Sequence, residues 1–292
     1  MSPNPRSGRY MLLATAFLFS TGGAAIKWCQ LSSWQVAGFR SAIAAIVILL
    51  FLKESRRGWN RGIIPVAIAS SATSILFVFA TKNTTAANAI FLQATGPLYL
   101  LIAGPLLLKE PLRRSDFVVA GWMALGMSLF FLDSTQVTIS APNPVLGNTL
   151  AALSGATWAA TVMGVRWLSK TSGGGLAPVV LGNLTTFLIT LPMAIPIDHF
   201  RWEDALVVLY LGLFQIGLAY VLMTRALQHV EALAASLIML IEPALNPIWA
   251  WIINRESPSY QAMAGGAVIL IATLLHTIWT TNRAPQASPK IS

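Results

Sequence analysis

Ten apolar runs, each roughly 16 to 23 residues long, divide this chain, and short charged clusters separate them. That length is what an α-helix needs to cross about 30 Å of hydrocarbon. The runs fall at 11–26, 36–52, 62–80, 86–108 and 117–132, then at 146–168, 177–197, 205–223, 232–253 and 260–280. Each must be helical, because a lone strand would leave its backbone groups unpaired in lipid. Composition agrees: 55% of residues are hydrophobic and 10% charged, where a soluble domain carries about 25% charged residues. The expected fold class is an all-α integral membrane protein of ten transmembrane helices.

The ten runs carry one pattern twice. Ala80, Ala86, Ala89, Pro97, Lys109 and Glu110 recur as Ala226, Ala232, Ala235, Pro243, Arg255 and Glu256, every pair 146 residues apart. Earlier in each copy, Phe19 and Lys27-Trp28 recur as Trp158 and Arg166-Trp167 at an offset of 139. The first run, which could be misread as a secretory signal ending at Gly22-Gly23-Ala24-Ala25, therefore has a partner in the second half and reads as a retained helix. The organisation expected is a first five-span repeat over 1–133, a linker at 134–144, a second repeat over 145–281 and a tail at 282–292. Five is odd, so the second repeat enters the membrane inverted. Two inverted halves can exchange conformations, which is the geometric basis of alternating access.

Basic residues set the orientation. With the N-terminus in the cytoplasm, 14 of the 19 lie inside, while Lys27, Lys82, Arg201 and Arg255 lie outside and Arg40 lies within a span. Both termini are then cytoplasmic and the linker external, in a cell inner membrane. The net charge of +9 reads as this signal plus contact with anionic lipid headgroups, not as a nucleic-acid surface. The single cysteine, Cys29, excludes an internal disulfide. His199, His229 and His276 are far apart and show no metal-ligand spacing. No nucleophile elbow or phosphate-cradling loop occurs. No cofactor or metal is expected, and the chain reads as a transporter, not an enzyme.

Phe19-Ser20 to Lys27, Arg40, and the stretch from Ala86 to Gly121 with Pro97 and Lys109-Glu110-Pro111 form one set of motifs. Trp158-Ala159, Glu242-Pro243, Arg255-Glu256 and Gly265-Gly266 form the second. In this order, and duplicated, they resemble the ten-span EamA-type family of the drug/metabolite transporter superfamily, over nearly the whole chain. Within it the chain is similar to the YddG-type aromatic amino-acid exporters. The resemblance implies export or exchange of small metabolites, including amino acids and drugs.

Site candidates follow from polarity inside spans. Pro97 and Pro243 interrupt equivalent helices and free carbonyls, as packing kinks or as hinges lining a central cavity. Glu242 is the acid placed deep in a span; such a group is a functional candidate by default. It either carries a coupling proton or bonds a carbonyl exposed beside Pro243. Met239 shares its face, as Gln93 and Gly96 share theirs in the first copy. Lys27 and Arg40 either snorkel to the interface or form a cationic rim for a carboxylate; the resemblance favours the rim. Phe19, Phe79, Phe91, Tyr99, Trp158 and Tyr220, with Ser20, Asn83, Gln215 and Met239, are the substrate-lining candidates, suited to an apolar or aromatic body carrying a few polar groups. Trp122, Trp202, Trp249, Trp251 and Trp279 read as interfacial or lipid-facing. Gly121, Gly126, Gly265 and Gly266 permit close helix packing, internal or between protomers, so the chain is a monomer or a homodimer.

The function expected is outward transport of small metabolites, foremost amino acids with bulky or aromatic side chains, by alternating access and facilitated diffusion. The alternatives are a proton-coupled exporter of lipophilic cations with Glu242 as counter-charge and, from a different class, an intramembrane lipid-modifying enzyme. The latter lacks a pair of catalytic side chains on one span face.

Overall fold

The computed structural model describes residues 5–96, 98–100, 103–104, 117–118, 121–122, 124–126, 128–129, 137–171, 175–197, 201–230, 235, 238–239 and 241–282. Pro97, Lys109-Glu110, most of the expected fifth span and the tail beyond 282 lie outside these residues. Among the described residues there is helix and no strand, only an isolated bridge between Thr138 and Ala141. The helices are α1 (Pro5–Ser20), α2 (Gly22–Trp28), α3 (Ser33–Phe51), α4 (Ile63–Asn83) and α5 (Ala86–Gln93) in the first half. The second half has α6 (Pro144–Thr171), α7 (Ala177–Ala194), α8 (Trp202–Tyr210), α9 (Ala219–Ala226), α10 (Ile241–Asn254) and α11 (Tyr260–Asn282). A π-helical stretch, Leu211–Leu218, joins α8 to α9. Among the described residues, five helical segments are long and apolar enough to cross a membrane: Ser7–Trp28, Ser33–Phe51, Ile63–Asn83, Ala177–Ala194 and Trp202–Ala226.

Local sequence explains where helices start. Ser32 caps α3 in a reciprocal box: its hydroxyl accepts from Gln35 N–H at 3.2 Å, while Gln35 Oε1 accepts from Ser32 N–H at 3.0 Å. Thr85 caps α5 by accepting from Asn88 N–H at 3.1 Å.

Where helices break is more telling. The expected span 86–108 does not run on: α5 stops at Gln93, and Ala94-Thr95 form a turn. The expected span 232–253 is likewise interrupted, with a turn at Met239 before α10 begins at Ile241. Gln93 and Met239 each stand four residues before a proline, Pro97 or Pro243. A proline removes its own N–H and its ring clashes with the carbonyl four residues earlier, so the helix yields at that point. The breaks fall at neighbouring repeat positions in the two halves.

The halves interleave. α4 packs on α6 and α7, α3 on α7 and the π stretch, α1 on α9 and α10, and α10 also on α2 and α5. One apolar cluster, containing Phe19, Met163, Tyr220 and Met239, draws on both halves. A second gathers Ile26, Phe77, Phe91, Leu211 and Ile269. Outward-facing Phe51, Ile68, Leu188, Trp202 and Trp251 are exposed, an arrangement lipid satisfies and water does not.

Candidate functional site

A cavity opens beside the end of α5 and the start of α10. Its walls are Phe19 of α1, Arg40 of α3, Thr73, Ser74 and Phe77 of α4, and Gln93 at the end of α5. Trp158 of α6, Gln215 and Ile216 of the π stretch, Tyr220 of α9 and Glu242 of α10 complete it. Both halves contribute, so the cavity lies between them.

One wall is aromatic. Phe19 meets Trp158 at 5.7 Å and 80°, and Tyr220 at 5.4 Å and 71°; Trp158 meets Tyr220 at 6.2 Å and 86°. These are edge-to-face contacts, the geometry ring quadrupoles prefer. Gly96, the repeat counterpart of Glu242, makes room for this wall: a Cβ there would lie 3.1 Å from Trp158 Cδ1.

The other wall is polar. Arg40 is 2% exposed. Its Nη1 donates to Gln215 Oε1 at 3.3 Å, and its Nη2 donates to the hydroxyl and carbonyl of Ser74 at 3.0 and 3.3 Å. Among the described residues the buried Nε has no partner. Gln215 reaches Arg40 because the π turn adds a residue to the helical circuit, a distortion frequent at functional sites. Gln215 also presses against Gly22, where a Cβ would sit 2.6 Å from Gln215 Nε2. Gln93 donates to Ser154 Oγ at 2.6 Å. Glu242, in the first turn of α10, is half-buried, and among the described residues its carboxylate has no hydrogen-bond or ion-pair partner.

Of the residues picked from sequence, Phe19, Arg40, Trp158, Gln215, Tyr220 and Glu242 meet in this cavity. The others sit elsewhere. Phe79 stacks on Trp34 at 4.6 Å, and Asn83 turns back to donate to the Phe79 carbonyl at 2.8 Å. Phe91 lies against Gly266. Tyr99 donates to the Ala152 carbonyl at 3.2 Å, and Met239 is buried in the apolar cluster. Ser20 donates to the Phe17 carbonyl at 2.7 Å and accepts from Trp249 Nε1 at 3.0 Å. Trp249 thus points inward, while Trp202 and Trp251 are 64% and 62% exposed. Pro97 lies outside the described residues; Pro243 is buried next to Glu242.

Thr73, Ser74 and Phe77 were missed. Alone, they are ordinary residues of an apolar span, and only the placement of α4 brings them to Arg40. Gln93 could have been found, since repeat symmetry pairs it with Met239.

Lys27 belongs to a separate, wider recess lined by Trp28, Lys82, Thr138, Ile139, Ser140, Ile253, Asn254 and Glu256. Lys27 Nζ lies 3.7 Å from Glu256 Oε1 and donates to the Ser140 carbonyl; Lys82 Nζ donates to the Cys29 carbonyl. The first turn of α8 holds a second buried acid, Asp204, which accepts from Gln30 N–H at 2.9 Å.

Comparison with known proteins gives one answer at two levels. The profile described as the EamA-like transporter family matches residues 6–132 and, a second time, 145–278. The pseudopaline exporter CntI of Pseudomonas aeruginosa is 23% identical over 284 residues, covering 92% of this chain and 95% of that protein. Human solute carrier family 35 member G1 is 24% identical over 289 residues, covering 93% and 79%. A solved crystal structure with 16% identity superposes with a TM-score of 0.66, covering 95% of this chain and 98% of the other, which speaks to the fold alone.

Proposed function

The chain belongs to the EamA-like transporter family and is a multi-pass membrane transporter, and from that premise we propose that it exports amino acids with bulky or aromatic side chains. What carries the reading is one cavity in which a buried arginine faces an edge-to-face aromatic triad. A guanidinium presents a planar fork that matches a carboxylate, and the rings suit an apolar side chain. The outward direction is favoured by the Pseudomonas relative, which is named an exporter.

The finer architecture we assign is ten spans in two inverted repeats, both termini cytoplasmic, in a cell inner membrane. The repeat offset, the odd span number and the basic asymmetry support it. Alternating access then works by rocking the halves about the paired breaks before Pro97 and Pro243. Transport is by facilitated diffusion: Glu242 has no counterpart acid in the first half, where Gly96 stands, so a symmetric proton relay is incomplete.

The test is uptake of labelled phenylalanine into proteoliposomes of the purified protein, with and without an imposed pH gradient. Saturable uptake that equilibrates and ignores the gradient is expected. Absence of any amino-acid flux would remove the substrate class, and accumulation driven by the gradient would remove facilitated diffusion.

A further inference from the structure

We propose that the cavity divides an amino-acid zwitterion between two poles, Arg40 receiving the α-carboxylate and Glu242 the α-ammonium. This inference rests on the amino-acid reading above and assigns roles within that same site.

The argument is one of charge accounting. Arg40 is buried, and its partners, Gln215 and Ser74, are neutral. No acidic group pairs with it among the described residues, and its Nε is unsatisfied. Glu242 faces the same cavity and is likewise unpaired among the described residues. The two make no ion pair with each other, although mutual neutralisation would relieve the cost of two isolated charges. A site that holds a buried guanidinium and a carboxyl without a charged partner for either is completed by a ligand carrying one charge of each sign, whose ammonium would also favour the ionised carboxyl. A free amino acid is such a ligand. A simple carboxylate would leave Glu242 alone, and a lipophilic amine would leave Arg40 alone. The Phe19–Trp158–Tyr220 triad in the same cavity then takes the side chain.

The poles also come from different halves. Arg40 is on α3 of the first, and Glu242 opens α10 of the second, directly after its break. Gly96, at the equivalent place in the first half, carries no acid and yields its space to Trp158. The duplication therefore has a direction: acid on one half, aromatic wall against the other.

The experiment measures how phenylalanine, phenethylamine (no carboxylate) and 3-phenylpropionate (no ammonium) compete with labelled phenylalanine in proteoliposome counterflow. In the parent, phenylalanine should outcompete each analogue by about tenfold or more, the value of one charge-assisted hydrogen bond. Glu242→Gln should lose most of the discrimination against 3-phenylpropionate and keep that against phenethylamine. Arg40→Lys, which retains the charge but not the fork, should weaken discrimination against phenethylamine only. Glu242→Asp serves as a second variant in case Gln is not tolerated, and should bind more weakly with discrimination intact. If Glu242→Gln still rejects 3-phenylpropionate as the parent does, the ammonium pole is wrong while the amino-acid reading stands. If phenethylamine competes as well as phenylalanine in the parent, the carboxylate pole is wrong. A parent that carries no amino acid defeats both readings.

Discussion

Glu256 Oε1 lies 3.7 Å from Lys27 Nζ, and the other oxygen of the same carboxylate accepts the N–H of Ala86 at 2.9 Å, the first residue of α5. The side chains are 8% and 4% exposed. One carboxylate from the second half thus ties together two helices of the first, α2 and α5, and Lys27 carries the tie on to the Ser140 carbonyl. Arg255, just before it, holds φ at 55°, a conformation disfavoured for a residue with a Cβ. The chain turns there to aim Glu256 inward.

This clasp should hold α2 and α5 together. Removing one partner of a buried ion pair typically costs about 3–5 kcal/mol, because the other charge is left stranded. Lys27→Met should lower the melting temperature of the purified protein, because the Glu256 carboxylate is left without its cation. Glu256→Gln should be milder than Glu256→Ala, since the amide can still accept from Ala86 N–H. Equal effects for the two Glu256 variants would mean the N–H contact contributes nothing.

Trp158 and Phe79 should behave differently despite being chemically alike. Trp158 lines the cavity and makes two edge-to-face contacts, each worth about 0.5–1.5 kcal/mol. Trp158→Ala should therefore weaken phenylalanine transport by about tenfold in apparent affinity, with alanine transport less affected. Phe79 packs on Trp34 instead, so Phe79→Ala should lower thermal stability and leave the ratio of phenylalanine to alanine transport unchanged. A shift in that ratio for Phe79→Ala would put it in the binding site.

Gly22→Ala tests the approach of the π stretch. The added methyl would lie 2.6 Å from Gln215 Nε2, a distance real Cβ atoms do not tolerate. Gln215 must move, and its bond to Arg40 goes with it. The variant should reach the membrane yet show a raised KM for amino acids, read from initial uptake rates over a range of substrate concentrations.

Topology can be read with thiols. Cys29 is buried, and burial pushes its thiol up to about 11, so at neutral pH it is almost wholly protonated and inert. Reactivity should appear only as pH climbs towards that value. Against this silent background, Ile139→Cys, fully exposed, should label on intact cells with an impermeant reagent, and Ser288→Cys should not. The reverse pattern would invert the orientation.

The helical character and the membrane setting were legible from run length and charge spacing alone, because a backbone in hydrocarbon has few ways to satisfy its hydrogen bonds. The duplication was legible too, and with it the paired interruptions at Pro97 and Pro243; that the helix gives way about a turn upstream, near Gln93 and Met239, emerged only in the structure, against expected spans that ran on unbroken. Arg40 and Glu242 stood out because charge inside an apolar run is costly wherever the chain goes.

Which polar and aromatic groups share a cavity was decided only by packing. Phe19 and Phe79 are alike in sequence, both aromatic and both near polar neighbours. One faces the cavity and the other Trp34, because helix rotation depends on contacts from helices far along the chain. Thr73, Ser74 and Phe77 gain meaning from Arg40, which α3 presents to α4, and Trp249 turns inward because Ser20 waits there to accept its N–H. The π turn that delivers Gln215 to Arg40 leaves no mark in composition. Run length and polarity decide what a segment must hide from lipid; only the tertiary arrangement decides what each hidden group meets, since those partners come from other helices, many of them in the other half of the chain.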